Sequence, residues 1–237
     1  MNRRQFLTTA ALGSSAAILP NVRALGSTDS AIALSPDKSK LVPPHGSIPV
    51  AILISAGLNV IDFSGPWGVF ESVSVPDAMD SPFRLFTVAE SAEVITSGSG
   101  LKLVPHYTFA NVPEVKVVVI PAQRGSDAMR DWLRKVAVTA DVTMSVCTGA
   151  FHLARAGLLS GKTATTHHEF LDKLEREFPD IIVKRGLRFV ENEKISTAGG
   201  LTSGTDLALR VVERYFGRTI AQSTATYMEY QGKGWIV

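Results

Sequence analysis

Thr143-Met144-Ser145-Val146-Cys147-Thr148-Gly149-Ala150 carries the only cysteine among 237 residues. An apolar-leaning run over 142–146 leads into it, and a helical pattern over 150–159 leads out. A strand–turn–helix unit of this kind holds a side chain at the rim of a sheet, beside the first free N–H groups of a helix. Those donors and the positive end of the helix dipole favour thiolate over thiol. The stretch reads either as a nucleophile or as a buried structural cysteine, a residue type common in cores.

The same alternation of strand and helix extends outward in both directions. Residues 48–54 are apolar on both faces, as an interior strand of a parallel sheet requires. Strands follow over 83–89 and 115–120, with a hairpin over 94–104 turning at Gly98-Ser99-Gly100. Helices are predicted over 66–73, with Pro66 in the first turn, and over 127–138, where Met129, Trp132, Leu133 and Val136 recur at helical spacing. Beyond Cys147 come short strands over 162–166, 181–183, 187–190 and 195–197. Helices are predicted over 169–178, ending at Pro179, and over 206–216 and 218–230. This order predicts one α/β domain over 47–237, a mostly parallel central sheet sandwiched by helices.

In such sheets, sites form where strands end and helices begin. The loop over 55–65, the loop after Ile120 and the Cys147 turn all fall there. Asn59-Val60-Ile61-Asp62-Phe63-Ser64-Gly65-Pro66 surrounds Asp62 with apolar residues. Asp62 is either a helix cap, which local sequence favours, or a carboxyl with a raised pKa. Ala164-Thr165-Thr166-His167-His168 and the Gly-rich turn Thr197-Ala198-Gly199-Gly200-Leu201-Thr202-Ser203-Gly204-Thr205-Asp206 complete the polar set. The turn opens a helix but lacks the phosphate-loop lysine and the dinucleotide glycine pattern, so a nucleotide is not expected. His45 reads as solvated, His106 as a loop residue and His152 as packed or on the surface. The histidines lack ligand spacing with carboxylates, so neither metal nor cofactor is expected.

A hydrophobic content of 45% is enough for one sizeable core. The net charge is +2, and without residues 1–24 the chain has 21 basic and 22 acidic residues. No nucleic-acid or anionic-membrane partner is expected from that balance, and one cysteine allows no internal disulfide. Asn2-Arg3-Arg4-Gln5-Phe6-Leu7-Thr8 precedes a weakly apolar run over 10–19. This reads as a signal peptide, with a run too short to span a bilayer. Its paired arginines resemble a twin-arginine signal, with cleavage after Ala24. Residues 25–46, rich in Ser, Asp and Pro, read as a flexible mature N-terminus. A periplasmic protein with no stable membrane association after cleavage is expected, with a lone thiol in an oxidising compartment.

Asp62-Phe63-Ser64-Gly65-Pro66, Ser145-Val146-Cys147-Thr148-Gly149-Ala150, Ala164-Thr165-Thr166-His167 and Gly199-Gly200-Leu201-Thr202-Ser203-Gly204-Thr205-Asp206, in that order, resemble the ThiJ/PfpI superfamily. The resemblance runs over 48–230 and implies a flavodoxin-like, class I glutamine amidotransferase-like fold with a nucleophile elbow. Asp62 and Thr148 place the chain nearest the isonitrile hydratase branch. The resemblance implies that Cys147 is a nucleophile in a strained elbow, that Asp62 hydrogen-bonds its sulfur, and that Thr148 positions the intermediate. Ala122, Gln123, Gly149 and His167 would line the substrate pocket or oxyanion site. The implied activity is a metal-independent lyase reaction on a small molecule, adding water to R–N≡C to give an N-substituted formamide. Cys147 thiolate would form a thioimidate, with Asp62 as proton donor and then as the base that activates water. A homodimer is also implied.

The chain departs from the family at Pro121-Ala122-Gln123-Arg124-Gly125, where a Gly-Gly pair is usual; here Gln123 or Arg124 would point into the pocket. His168 stands where hydratases carry tryptophan. Other readings are a redox or stress sensor with Cys147 oxidised to sulfinate, a glyoxalase-like enzyme, a peptidase and a ligand-binding module. Asp62 and Thr148 argue against the glyoxalase, and the lack of a histidine after Cys147 argues against the peptidase. The same domain occurs fused to helix-turn-helix modules in transcription regulators; the few residues after 230 leave no room for one, so none is expected.

Overall fold

The computed structural model describes residues 30–35, 39–76 and 81–237. The signal-type segment over 1–24 lies outside the described residues. The first half contains β1 (Ser30–Ile32), β2 (Ile48–Leu53), α1 (Val60–Glu71), β3 (Phe83–Ala89), the hairpin strands β4 (Ile95–Thr96) and β5 (Lys102–Leu103), β6 (Tyr107–Thr108), β7 (Val117–Ile120) and α2 (Asp127–Thr139). The second half contains β8 (Val142–Ser145), α3 (Ala150–Arg155), β9 (Thr163–Ala164), α4 (Leu171–Glu177), β10 (Ile182–Val183), β11 (Leu187–Asn192), β12 (Ile195–Ala198), α5 (Ser203–Phe216) and α6 (Arg218–Tyr227).

Eight strands form the central sheet in the order β1-β11-β12-β8-β7-β2-β3-β6. Neighbours run parallel, except that β11 and β12 pair antiparallel. The period of two along β2 sorts its side chains cleanly. Ile48, Val50 and Ile52 enter the core shared with Val69 and Phe70 of α1 and Leu207 and Val211 of α5. Ala51 and Leu53 enter the opposite core, with Leu133 of α2 and Leu153 of α3. Each such aliphatic side chain contributes about 1.5–3 kcal/mol by leaving water. That is why β2, β7 and β8 hold the middle of the sheet and present their carboxyl ends together.

Several element boundaries differ from expectation, and three of the shifts concern the site. α1 starts at Val60 rather than 66, with Pro66 inside the helix. The apolar run supports helix from Val60 onward, and Pro66 merely forgoes the N–H bond that an interior residue would make. α5 starts at Ser203, within the Gly-rich turn, rather than at 206. α3 ends at Arg155, so the helix after Cys147 is only 6 residues long.

Within the segment expected to be flexible, 25–46, the described residues make contacts with the domain. β1 pairs with the outer edge of β11. Leu34 donates its N–H to Glu191 Oε2 at 3.1 Å, Arg214 Nε donates to the Ser39 carbonyl at 2.8 Å, and Leu41 N–H bonds the Arg214 carbonyl at 2.8 Å. Glu191 is itself buried and paired with Arg210 Nε at 3.0 Å. Composition alone reads this stretch as loose, because its ionic partners lie more than 150 residues further along the chain.

Candidate active site

β8 delivers Cys147 between the carboxyl ends of β7 and β12. The residue is held at both backbone polar groups: its N–H donates to the Gly199 carbonyl at 2.8 Å, and its carbonyl accepts the Thr166 hydroxyl at 2.8 Å. Cys147 has φ 58°, in the left-handed region. A residue with a Cβ is strained there by about 1–2 kcal/mol. The turn over Cys147–Gly149 is a single 3-10 turn running into α3. Gly149 makes that path possible, because a Cβ on it would lie 2.1 Å from the Ile120 carbonyl oxygen. Its N–H is bonded to Val146 O at 3.0 Å, so Gly149 shapes the elbow rather than offering a donor to substrate.

The sulfur meets the backbone N–H groups of Thr148 and Leu201, which favour its anion. Burial, with the charge of Asp62 added, outweighs them and pushes the thiol up to about 11. This corrects the expected resting thiolate. Cys147 is 6% exposed, and desolvation dominates over two donors and a short helix.

Asp62 is not a cap. The N-cap position of α1 belongs to Asn59, which makes no side-chain cap bond. The Asp62 carboxyl is fully buried and faces inward, with Oδ2 accepting the Ala122 N–H at 3.1 Å. Oδ1 has no donor of its own, which leaves the Cys147 thiol as the proton source beside the carboxyl. Burial raises its pKa to about 6, against the Ala122 N–H and the thiol, which both lower it. At neutral pH the pair is a carboxylate beside a thiol. The carboxylate can take the S–H proton as the sulfur attacks, so the pair can supply a nucleophile without maintaining a free thiolate.

The other expected site residues divide. Thr148 reaches the sulfur through its N–H, and its side chain borders a small cleft of about 210 Å³ shared with Gln123 and Phe151. Ala122 spends its N–H on Asp62 and its carbonyl on Asn59 N–H at 2.9 Å, so it positions the acid. The Gln123 amide is tied to the end of β2, accepting from Ser55 N–H at 2.6 Å and donating to Leu53 O at 3.1 Å. Both ends of its amide are thus spent on the strand end, while the residue still borders the cleft beside Thr148. His167 packs its ring against Gly200, where a Cβ would lie 2.3 Å from Cδ2, and against His168, with ring centroids 4.4 Å apart. Its Nδ1 accepts the Glu169 N–H at 3.3 Å. His152 is buried, with Nε2 at 3.0 Å from the Gln123 carbonyl, and desolvation lowers its pKa. His106 bonds Thr87 through Nδ1 at 2.8 Å, away from the elbow.

Leu201 was missing from the expected set. Its donor role comes from its backbone, at φ 53° in the turn before α5. The only signal in the sequence is the Gly199-Gly200 pair, which lets that turn approach the elbow. Among the described residues, no group of three or more His, Cys, Asp or Glu side chains is placed to hold a metal ion.

Comparison with known proteins gives a consistent picture. The DJ-1/PfpI family model matches residues 49–214. An isonitrile hydratase from Pseudomonas putida is 32% identical over 190 residues, covering 78% of this chain and 79% of the relative. The HTH-type transcriptional regulator GbdR of Pseudomonas aeruginosa is 26% identical over 154 residues, 63% of this chain but only 42% of the regulator. Among solved structures, a ThiJ/PfpI family protein from Pseudomonas syringae superposes with TM-score 0.67 at 30% identity, covering 84% of this chain and 81% of that one.

Proposed function

The chain belongs to the DJ-1/PfpI family, and on that premise we propose that it is an exported, cysteine-dependent hydratase that converts a small isonitrile into an N-substituted formamide. The observation that carries this reading is the buried Cys147–Asp62 pair, a thiol beside a carboxylate whose pKa is lifted to about 6. The similarity to an isonitrile hydratase over most of both chains favours the isonitrile as substrate.

The chemistry follows from the resting protonation states. Asp62 takes the S–H proton while sulfur bonds the terminal carbon of R–N≡C. The same proton passes from Asp62 to that carbon, giving the thioimidate R–N=CH–S–Cys147. Asp62, ionised again, takes a proton from water as the water oxygen adds to the thioimidate carbon, and delivers it to nitrogen. The C–S bond then breaks, the hydroxyl proton returns to sulfur by way of Asp62, and R–NH–CHO leaves. The Thr148 and Leu201 N–H groups steady negative charge on sulfur in both the attack and the departure. In this order Asp62 is a base before it is an acid, the reverse of the sequence expectation, because it is the group ionised at rest.

A sensor that works by oxidation of Cys147 is the weaker reading, since a thiol held near 11 is mostly protonated and slow toward peroxide. Export and a periplasmic location rest on the arginine pair Arg3-Arg4 and the apolar run after it; cell fractionation with and without those arginines tests them. Homodimer formation belongs to the same proposal and is read by sedimentation. The activity test is incubation with an aryl isonitrile and chromatography of the formamide. Cysteine-dependent formamide supports the hydratase; no formamide from wild type removes it.

A further inference from the structure

A cleft of about 490 Å³ opens beside the elbow, between the segments 165–171, 186–188 and 199–203. It shares walls with the nucleophile. Thr166, which bonds the Cys147 carbonyl, Gly199, which accepts the Cys147 N–H, and Leu201, which donates to the sulfur, all line it. A substituent on a molecule reacting at Cys147 therefore has this space within reach.

The polar side chains that line the cleft include one cation and no anion. Thr165, His167, His168, Arg188, Thr202 and Ser203 all offer donors, and no carboxylate lines the cleft. Arg188 is fixed there. Its Nε donates to Asp206 at 2.7 Å, and its Nη2 donates to Asp206 and to Thr202 Oγ1, the latter at 3.1 Å. Asp206 stands behind it, 1% exposed and also held by the Tyr230 hydroxyl at 3.0 Å. The guanidinium is thus oriented in advance, with its side chain 26% exposed. Ser203 and Thr165 are 3% and 2% exposed, and their hydroxyls have no hydrogen-bond partner among the described residues. Neither hydroxyl oxygen is fully enclosed, so both are open to a ligand on the cleft side. They face a cleft that also receives the N-terminus of α5, a helix of 14 residues.

We infer that this cleft binds a carboxylate on the substrate, so that the protein acts on small electrophiles that carry an acid group, an isocyano carboxylate rather than a neutral isonitrile. Arg188 supplies the charge-assisted bond, and the Ser203 and Thr165 hydroxyls fill the remaining acceptor positions of the carboxylate. The inference rests on the reading of Cys147 as the reacting nucleophile.

The test uses the single cysteine as its own reporter. The alkylation rates of Cys147 by iodoacetate and by iodoacetamide are measured at matched pH, and their ratio is divided by the same ratio for free cysteine. The two reagents have similar size and differ in charge. The expected normalised ratio is roughly tenfold or more in favour of iodoacetate, the scale of one charge-assisted hydrogen bond. Arg188→Gln should bring it close to the free-cysteine value, Ser203→Ala should lower it in part, and excess butyrate should slow iodoacetamide on wild type. A wild-type ratio equal to that of free cysteine overturns the proposal, as does an unchanged ratio in Arg188→Gln. If Arg188→Gln does not fold, an unchanged ratio in Ser203→Ala overturns it instead. Isonitrile turnover separates this result from the hydratase reading. Carboxylate preference without turnover keeps the subsite and removes the hydratase, and turnover of neutral isonitriles without carboxylate preference does the reverse.

Discussion

Asp62→Asn separates the chemistry of the site from its cost to the fold. The Asp62 carboxyl has a pKa of about 6 in the folded protein against an ordinary 3.8. The folded state therefore binds this proton more tightly than the unfolded chain does. Stability from this group is fully present below 3.8 and is lost as pH rises through about 6. The rise from 3.8 to about 6 corresponds to about 2–3 kcal/mol, lost from the fold once the carboxylate is buried and ionised. Asparagine has the same shape, keeps an oxygen for the Ala122 N–H, and carries no charge. Asp62→Asn should therefore be more stable than wild type by about 2–3 kcal/mol at pH 7.5, or roughly 5–10 °C in Tm for a domain of this size. At pH 4 or below the difference should shrink toward zero. The same variant should lose hydration activity by roughly 10²–10⁴-fold, the range for a general acid–base group. Thermal unfolding at the two pH values, with a turnover assay on the same preparation, reads both. A variant no more stable than wild type at pH 7.5, or equally stabilised at pH 4, would refute the reasoning.

Turnover should also follow Asp62 across pH. The apparent second-order rate should rise about tenfold for each pH unit below 6 and level off above it, as the base ionises; a rise that continues toward pH 11 would instead mark the free thiolate as the attacking species. Gly149→Ala places a methyl 2.1 Å from the Ile120 carbonyl oxygen. Backbone must move, so a loss of about 3 kcal/mol in denaturant unfolding is expected, with activity falling as the elbow shifts. Deleting the segment through Leu41 removes the partners that Arg214 and Glu191 find at Leu34, Ser39 and Leu41. It also exposes the edge of β11. A loss of at least about 3 kcal/mol and a tendency to aggregate are expected, whereas unchanged stability would return this stretch to the role of a loose leader.

The central sheet was legible because β2, β7 and β8 bury both faces, which leaves continuous apolar runs in β2 and β7 and an apolar-leaning one, broken by Thr143 and Ser145, in β8. Cys147 was legible for a related reason, as the single thiol where such a run meets a helix. Asp62 was found, but local sequence favoured the wrong role for it. An acid in the first turn of a helix looks like a cap, and only the fold shows that Ala122, 60 residues away, supplies its hydrogen bond. The resting state of Cys147 was misjudged because dipole and donor arguments are local, while desolvation depends on everything packed around the sulfur. Gln123 could not be placed, since its two backbone partners at the end of β2 lie 68 and 70 residues earlier. Leu201 acts through its N–H, and a backbone donor has no side-chain signature. The contacts of the N-terminal segment were not legible for the same physical reason as the role of Asp62: its composition is that of a linker, and its partners are distant buried charges.

The nucleophilic role of Cys147 is tested most directly by mass spectrometry of the protein mixed with an isonitrile and quenched during turnover. Wild type should carry a covalent adduct of the whole isonitrile on Cys147 and release the N-substituted formamide, and Cys147→Ala should do neither. Formamide released at equal rates by wild type and Cys147→Ala would contradict it.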